Sequence, residues 1–324
     1  MKTALHISFV ALLALWATSC DKDPEPEEGN DPVNPETPAT IIEPTEIQVG
    51  HMNVLGNDTY AVFKGSSFTF DYLLVPYKST AQEIRWESSN TAVATVLNGT
   101  VTGVSRGIAT ITATVYNNGK KGVSASREVY VVGGKTEVDL GLSLVSRWAE
   151  FNLGEDAAGL NCKLVAWGEL SHKTEYSQNN YKWYSNGSFS KYNANDNRLE
   201  LLAEDDVVAQ DMRGKWRMPT ASQALELVNW CNTKKAFYYG SSNWSLGFLF
   251  ISKKNNEFLF FSDYCYTPGA PETGDYHLSW TSTRAANVQY AYTIVVDRST
   301  LQAKCVDAYY RYFMLPVRPV LNKN

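Results

Sequence analysis

The chain has 324 residues, a formal net charge of −5 and a sequence pI near 5.5, and 44% of its residues are hydrophobic. At about 150 residues per domain, this length predicts two folded domains, each with enough apolar residues for a core. The charge argues against nucleic-acid binding, which needs a surplus of Lys and Arg on one face, whereas the basic pairs here are isolated. For the same reason we expect no direct attraction to anionic lipid.

The first twenty residues have the pattern of a secretory signal. Lys2 provides a positive start, an almost unbroken apolar run follows over residues 7–16, and small residues precede Cys20. The run is too short to cross a bilayer of about 30 Å as a helix. The pattern resembles a lipoprotein signal, residues 1–19, cleaved before Cys20, with Ala17 where that family prefers Leu. The resemblance implies acyl chains on Cys20 as the only attachment to a membrane, and the alternative is a plain secretory signal.

Residues 20–44 have the composition of an unfolded tether. Six prolines alternate with acidic residues, and large apolar side chains are almost absent. Such a segment cannot bury enough surface to offset the entropy of ordering, so we expect it to hold the folded parts away from the membrane. Its start, Asp21-Lys22-Asp23, resembles the export signal of surface-exposed lipoproteins in Gram-negative gut anaerobes. That resemblance implies an anchor at the outer membrane, with the protein facing the cell exterior.

From residue 45 to residue 133 the hydrophobic pattern has a period of two. Apolar residues alternate with threonines over 109–115, and residues 68–75 and 129–132 are further strand candidates. Turns rich in Gly and Asn separate these strands. Short strands at this spacing predict an antiparallel sandwich.

Three stretches of the same segment resemble a known family. Residues 86–96 (WESSNTAVATV), 99–104 (GTVTGV) and 107–113 (GIATITA) closely resemble the bacterial Ig-like group 2 domain. The resemblance implies a stalk or adhesion module, commonly a rigid spacer on surface proteins. We expect Trp86 to pack in its core.

Residues 135–324 hold most of the aromatic side chains: seven of the nine Trp, fourteen of the 19 Tyr and nine of the 13 Phe. Thr220 and Gln223 form a capping-box pattern that predicts a helix. Its expected apolar face consists of Leu225, Leu227, Val228, Trp230 and Cys231. A shorter helix is predicted over 205–211. Predicted strands cover residues 247–251, 258–262, 290–296 and 317–320.

A second resemblance covers nearly all of residues 135–324. Its motifs occur in the order VDLGLS (138–143), RWA (147–149), NLG (152–154), AWGE (166–169), YKW (181–183), EDD (204–206), KWRMPT (215–220), SWTS (279–282) and VRPV (317–320). Together they resemble the Fibrobacter succinogenes major paralogous domain, which is found in exported lipoproteins. The WRMPT element and the helix after it also resemble C-type lectin-like folds. The implied fold is an all-β Ig-like sandwich followed by an α+β, C-type lectin-like domain. Glu150 stands where family members often have a cysteine.

Four cysteines remain once Cys20 is set aside, and all lie in the C-terminal half. An even number in an exported chain permits two disulfides in any of three pairings, and free buried thiols are the alternative. The candidates are Cys162, Cys231, Cys265 and Cys305. No C-x-x-C spacing occurs, so zinc and redox chemistry have little support.

We expect no cofactor and no resident metal. His172 and His277 are the only histidines in the C-terminal region, and no H-E-x-x-H motif is present. Weak calcium candidates are Asp196, Glu200, Asp205 and Asp206, which with Glu204 concentrate carboxylates in eleven residues. The other interpretation of these acids is a solvated loop and a helix start. The motifs of calcium-dependent sugar-binding lectins are missing.

Aromatic loops remain as candidate binding elements. Sugars dock their C–H faces on exposed rings, while amide and charged side chains supply hydrogen bonds. The predicted ligand-binding residues are Tyr181, Trp183 and Tyr184 in one loop and Tyr264, Tyr266, Tyr276 and Trp280 around a second. Four other tryptophans are expected in the core: Trp148, Trp167, Trp216 and Trp230.

We therefore predict a surface protein that binds a glycan or a protein partner and is not an enzyme. No G-x-S-x-G motif is present, and no pair of catalytic carboxylates can be located in the sequence. Two alternatives stay open. One is an enzyme of C-type lectin-like fold, similar to sulfatase-modifying proteins, and the other is a structural component of a surface assembly.

Overall fold

The computed structural model describes residues 40–51, 54–55, 58–155, 162–240, 243–262 and 276–323. The predicted signal, Cys20 and most of the predicted tether lie outside these residues. Ile41–Asn324 forms one compact unit. No helix in the described part of the chain has the length and apolar character needed to cross a membrane.

Strands predominate in the described residues, with 22 strands, two α-helices and one 3-10 helix at Gln178–Asn180. The N-terminal strands are β1 (Glu46–His51), β2 (Val54–Leu55), β3 (Thr59–Phe63), β4 (Ser67–Thr69), β5 (Asp71–Val75), β6 (Glu83–Ser88), β7 (Ala94–Leu97), β8 (Thr100–Gly103), β9 (Gly107–Asn117) and β10 (Lys120–Val132). The C-terminal elements are β11 (Glu137–Val138), β12 (Val145–Ala149), β13 (Tyr184–Ser185), β14 (Ser188–Phe189), α1 (Val207–Met212), β15 (Trp216–Arg217), α2 (Ala221–Trp230), β16 (Cys231–Gly240), β17 (Asn243–Ser252), β18 (Phe258–Ser262), β19 (Tyr276–Arg284), β20 (Tyr290–Asp297), β21 (Ala303–Tyr310) and β22 (Val320–Asn322).

The N-terminal strands form an Ig-like sandwich. Strands β3, β10, β9 and β6 lie side by side, and the small sheets β2-β1-β5 and β4-β8-β7 contribute to the same core. The predicted alternation is confirmed in β9, where Ala109, Ile111, Ala113 and Val115 are buried in that core. Trp86 packs against it as expected. Burial of one strand face is what fixes the register of such a sheet.

The main sheet of the sandwich continues into the C-terminal region. Its seven strands have the order β18-β17-β16-β3-β10-β9-β6. The joining contact is a parallel pairing of β16 with β3, in which Ala236, Phe237 and Tyr238 lie opposite residues 59–61. Backbone hydrogen bonds therefore connect the two halves of the compact unit.

Strand β3 is buried on both faces because of this continuation. Tyr60 and Val62 point into the sandwich core, whereas Ala61 and Phe63 belong to a second cluster with residues of β16, β17 and β18. The ring centroids of Phe63 and Phe260 are 6.1 Å apart although their strands are separated by two others. The sheet therefore curls, so that β18 faces β3 across a small aromatic core.

A buried ionic cluster lies at the same junction. Arg106 donates to Glu150 at 2.9 Å, forms an ion pair with Glu257 at 3.2 Å, and stacks 3.9 Å above the ring of Phe258. Its guanidinium also donates to the Phe258 carbonyl. Glu150 in turn accepts from the backbone amides of residues 133 and 135. The residue that stands where the resembling family often has a cysteine is thus part of an ion pair that ties β18 to the sandwich.

Helix α2 begins as the sequence predicts. Thr220 accepts from the Gln223 amide at 3.2 Å, and the Gln223 side chain accepts from the Thr220 amide at 2.9 Å. The predicted apolar face is only partly right: Leu227 and Cys231 are buried, but Leu225 is 49% and Trp230 44% exposed.

A charged residue takes part of the inward face of α2. Glu226 is buried and accepts hydrogen bonds from the backbone amides of Ser143 and Leu144 at 2.6 and 2.9 Å. Trp230, the last residue of α2, is turned outward, and the Lys254 ammonium lies 3.6 Å from its ring centroid. The expectation that Trp230 is a core residue is wrong. Trp148 and Trp167 are buried as expected, and Trp216 is partly buried.

The predicted strands of the C-terminal region are present except the last. Residues 247–251, 258–262 and 290–296 lie in β17, β18 and β20. Of residues 317–320, only Val320 is in a strand, because Pro319 and the preceding Pro316 have no N–H to donate to a ladder. Arg318 is buried there and donates to Asn152 at 2.9 Å and to the Phe260 carbonyl at 2.7 Å.

The cysteines correct the expected disulfide set. Cys162 is disulfide-bonded, but Cys231 and Cys305 are free thiols, so neither is its partner. Cys231 is buried under α2, and the Cys305 thiol on β21 lies 3.7 Å from the Ala221 carbonyl. Cys265, the fourth predicted residue, lies outside the described residues.

Candidate functional site

Two of the predicted ligand-binding rings belong to the core. Tyr181 is buried and donates to the Trp167 carbonyl at 2.6 Å. Trp280, on β19, is fully buried and donates from its indole nitrogen to the Val165 carbonyl at 3.0 Å. A buried aromatic side chain with its polar atom satisfied cannot present a face to a ligand. The prediction that Tyr181 and Trp280 are exposed docking rings is therefore wrong.

Trp183 is partly buried and already has cationic partners. The ammonium groups of Lys182 and Lys191 lie 4.2 and 4.8 Å from its ring centroid, distances typical of cation–π contacts. Both lysines also form ion pairs with the buried Asp205. Trp183 is thus part of a structural ionic cluster and not a free stacking surface.

The second predicted loop is described only at its end. Tyr276 begins β19 and is 40% exposed, whereas Tyr264 and Tyr266 lie outside the described residues. The proposed role of these three residues stays a prediction.

The weak calcium candidates do not converge. Asp196 accepts from backbone amides of its own loop, and Glu200 accepts from the hydroxyls of two residues of β19. Asp205 binds two lysines and a tyrosine hydroxyl, and Asp206 caps α1 and accepts from a backbone amide near β15. Within the described ranges no group of three or more His, Cys, Asp or Glu could hold a metal ion. The four carboxylates do not face a common point, because each accepts hydrogen bonds from donors of a different loop, strand or helix end.

A cleft of about 470 Å³ lies beside the first predicted loop. Its walls come from the loop before β13, the β13–β14 hairpin, the loop after β14 and the turn before β20. The lining residues are Gln178, Tyr184, Gly187, Ser188, Phe189, Asn193, Ala194, Asn195, Val288 and Gln289. These side chains include no carboxylate, ammonium, guanidinium or imidazole group, so the cleft is uncharged. We name it the amide cleft.

A short hairpin places the two aromatic rings of the amide cleft. Tyr184 on β13 and Phe189 on β14 lie directly opposite each other, with ring centroids 5.1 Å apart. The two-residue turn between the strands is Asn186-Gly187, and both residues have a positive φ, 51° and 78°. This is the turn chemistry that tight hairpins prefer, so the local sequence fixes the ring pair.

Amide side chains supply the polar part of the cleft. Asn193 is committed to the fold, because it donates to the Phe189 carbonyl at 2.8 Å and accepts from two backbone amides of its loop. The side-chain amides of Gln178, Asn195 and Gln289 make no hydrogen bond to any described residue. Each free amide offers both donors and an acceptor, so these three can bind a ligand hydroxyl in either sense.

The base of the amide cleft is held by one buried arginine. Arg311 donates to the Tyr181 hydroxyl at 3.1 Å, to the Tyr192 and Val288 carbonyls at 3.0 and 2.9 Å, and to the Lys191 carbonyl at 3.1 Å. Its guanidinium also lies 4.7 Å from the Phe189 ring centroid, and its backbone amide donates to the Gln289 carbonyl at 3.0 Å. The same side chain therefore fixes the positions of both walls.

Burial also shifts the pKa values of Arg311 and Tyr181 at the bottom of the cleft. Desolvation lowers the pKa of Arg311, although the nearby Tyr181 hydroxyl opposes that shift. Desolvation raises the pKa of Tyr181 well above its usual range, with Arg311 acting in the opposite direction. The Arg311 guanidinium donates to the Tyr181 hydroxyl, so this contact is a charge-assisted hydrogen bond.

A second cleft, of about 390 Å³, lies where the Ig-like strands meet the β16–β17 hairpin. Its walls include His51, which stacks on Trp244 with ring centroids 4.2 Å apart and lies 3.9 Å from Asp71. Desolvation lowers the pKa of His51 and Asp71 opposes this effect. This cleft contains an imidazole and a carboxylate, whereas neither group lines the amide cleft, and it shares no residue with the predicted aromatic loops.

Sequence reasoning located part of the amide cleft. It singled out the loop that contains Tyr184, but it missed Phe189, Asn195 and Gln289. Phe189 and Asn195 could have been found from the polar, amide-rich run that continues from Tyr184 to residue 197. Gln289 carried no such signal, because it reaches the cleft from a turn about a hundred residues further along the chain.

Comparison with known proteins gives one family match. Residues 53–125 match the model of the bacterial Ig-like domain (group 2). No curated protein matches the chain.

Several solved structures are also similar to the chain. Against surface layer protein SbsC, domains 4–9, the identity is 14% and the TM-score 0.22, with 87% of this chain and 27% of that chain covered. Against domains 1–6 of the same protein the identity is 14% and the TM-score 0.24, with 83% of this chain and 26% of that chain covered. Against domains 5–6 the identity is 13% and the TM-score 0.21, with 87% of this chain and 99% of that chain covered. The chain thus spans only about a quarter of the first two structures, and at these TM-scores the likeness supports no further argument. What the comparisons and the observed sandwich establish together is that residues 53–125 are similar, in sequence and in fold, to a group 2 bacterial Ig-like domain.

Proposed function

We propose that this protein is an exported surface protein that binds a neutral glycan in the amide cleft. The observation that carries the proposal is the combination of two partly exposed rings, Tyr184 and Phe189, with three uncommitted amides in a cleft without charge. Rings accept the C–H face of a sugar, and amides bind its hydroxyl groups. A volume of about 470 Å³ is within the range of small-molecule sites.

Surface location is part of the same proposal. The group 2 bacterial Ig-like domain supports a surface-associated module, and the N-terminal pattern supports export with acylation of Cys20 and an anchor at the outer membrane. The motifs of residues 135–324 support a C-type lectin-like relative of the Fibrobacter succinogenes major paralogous domain. A glycan is favoured over a protein partner because the binding groups line a concave cleft and not a broad flat surface.

Binding is favoured over catalysis by the chemistry of the cleft walls. A hydroxyl nucleophile needs a base beside it, and the usual acid–base groups are carboxylates, imidazoles, thiols and amines. The amide cleft is lined by none of these groups. Its only ionisable side chain is the Tyr184 phenol.

The test is a glycan array probed with the full chain and with two cleft variants, Tyr184→Ala and Gln289→Met. Loss of one ring contact or one hydrogen bond is worth about 0.5–1.5 kcal/mol, so each variant should weaken binding by about two- to tenfold. Tyr77→Ala is the matched control, because Tyr77 is 83% exposed in the turn between β5 and β6 and lines no part of the cleft. Undiminished glycan binding by both cleft variants would exclude this site.

A further inference from the structure

Three tyrosines lie next to the amide cleft without lining it. Tyr290 at the start of β20 pairs across the sheet with Tyr310 at the end of β21, and their ring centroids are 4.8 Å apart. The ring of Tyr312 stacks on that of Tyr310, with a centroid distance of 5.1 Å and an interplanar angle of 19°. All three side chains are partly exposed. We call Tyr290, Tyr310 and Tyr312 the tyrosine array.

The tyrosine array is supported by the core beneath it. Phe313 packs against the buried cluster that contains Trp167 and Trp280, and its ring lies 5.7 Å from Tyr310 and 5.4 Å from Tyr312. Rings held in this way lose little further freedom when a ligand covers them. The array is therefore a preorganised surface and not a set of independent, mobile side chains.

The array and the amide cleft also share their support. Tyr290 directly follows Gln289, whose carbonyl accepts from the Arg311 amide at 3.0 Å. Arg311 lies between Tyr310 and Tyr312 in the chain, and its guanidinium holds the base of the cleft through the Val288 carbonyl at 2.9 Å. The tyrosine array is therefore adjacent in the chain to the wall that Gln289 provides, and the buried Arg311 supports both the array and the amide cleft.

We infer that the amide cleft and the tyrosine array are consecutive subsites for an extended neutral oligosaccharide. The inference rests on the proposed function, because it assumes that the cleft binds a sugar. One unit occupies the cleft and bonds to its amides, and the following units lie over the array. The ligand class is a chain of several neutral sugars, since neither surface offers a charged group to bind an acidic or amino sugar. A monosaccharide fills only the first subsite.

The test measures affinity against chain length by titration calorimetry with the full chain. The probes are the monosaccharides and the di-, tetra- and hexasaccharides of glucose, of mannose and of galactose. Each ring that stacks on a sugar adds about two- to tenfold in affinity, so one probe series should bind at least about tenfold more tightly as hexasaccharide than as monosaccharide.

Variants of Tyr312 then assign the gain to the array. Tyr312→Ala should reduce the ratio of hexasaccharide to monosaccharide affinity by about two- to tenfold, while Tyr312→Phe, which keeps the ring, should preserve the ratio. Near-UV circular dichroism and thermal melting of each variant identify loss of folding, and Tyr77→Ala serves again as the distant control.

The outcomes separate this inference from the proposed function. Binding of a monosaccharide with no gain from chain length overturns the inference and leaves the proposed function intact. A chain-length gain that survives in Tyr312→Ala also overturns it. Absence of binding by every probe overturns both.

Discussion

Replacing Arg311 with methionine removes the guanidinium that holds the base of the amide cleft. The side chain is fully buried and donates four hydrogen bonds, three to backbone carbonyls and one to the Tyr181 hydroxyl. Its charge is surrounded by the rings of Trp167 and Phe189, with centroid distances of 4.8 and 4.7 Å. Methionine has a similar length but donates nothing, so the acceptors lose their partners.

The magnitude follows from two opposing contributions. Each of the four hydrogen bonds from this charged donor stabilises the folded state by about 1.5–3 kcal/mol. The variant does not have to desolvate a guanidinium on folding, which offsets several kcal/mol of that loss. The expected net loss is about 3–5 kcal/mol of unfolding free energy. For a unit of this size such a loss lowers Tm by about 6 °C or more.

Urea denaturation of the full chain, followed by tryptophan fluorescence, measures this loss. The control is Arg198→Met, because Arg198 is exposed and its side chain makes no hydrogen bond to a described residue. Binding of the sugar probes by Arg311→Met should also fall, since both walls of the cleft depend on Arg311. A change of less than about 1 kcal/mol relative to Arg198→Met would refute the role assigned to Arg311.

Three further predictions concern the junction, the thiols and one carboxylate. Arg106→Met leaves the buried Glu150 without its ion-pair partner, so urea denaturation should show a loss of about 3–5 kcal/mol. Burial raises the pKa of Cys231 to about 12 and that of Cys305 to about 11, so the native protein at pH 8 should resist alkylation at both, and unfolding should expose them. The Ser299 hydroxyl and neighbouring amides lower the pKa of Asp297 to about 2, so an NMR titration should show its ionisation there. Because the folded pKa of Asp297 is depressed, its contribution to stability is present above about pH 4 and is lost as the pH falls through 2.

For the junction, Arg85→Met is the matched control, since the Arg85–Glu83 pair is exposed, and equal stability of the two variants would show that the buried cluster does not tie the halves together. Rapid alkylation of either thiol in the native state would place it at the surface. A pKa near 4 for Asp297 would mean that its turn does not form in solution.

Local patterns in the sequence were sufficient for the secondary structure of the Ig-like segment. Alternation over residues 109–115 predicts β9 because one face of that strand is buried, and burial follows the alternation except at Thr114, which is buried too. The capping box at Thr220 predicts the start of α2 for an equally local reason, since both of its hydrogen bonds lie within four residues. The apolar face of α2 was less predictable, because Glu226 is turned inward by backbone amides about eighty residues away.

The sequence was equally unable to predict which of the candidate ligand-binding rings are exposed. Tyr181, Trp183 and Tyr184 occupy almost adjacent positions in one loop, yet the first is buried, the second lies in a lysine cluster and the third lines the cleft. Composition favours some exposed rings but cannot choose among neighbours, because exposure depends on what packs over each ring. Cys231 and Cys305 are free thiols, which the even number of cysteines in the C-terminal half did not predict, because pairing depends on the distance between two side chains in the fold.

The strands of the Ig-like segment and the capped start of α2 could be predicted from the sequence alone, since each depends on side chains a few residues apart. Three other features depend on tertiary packing: the parallel pairing of β3 with β16, the base of the amide cleft around Arg311, and the placement of Gln289 beside Phe189. All but one of these contacts, the Arg311–Val288 hydrogen bond, join residues about a hundred or more positions apart. They depend on which sheet edge, backbone carbonyl or ring is left without a partner when the local elements pack, and no periodicity along the chain encodes that choice.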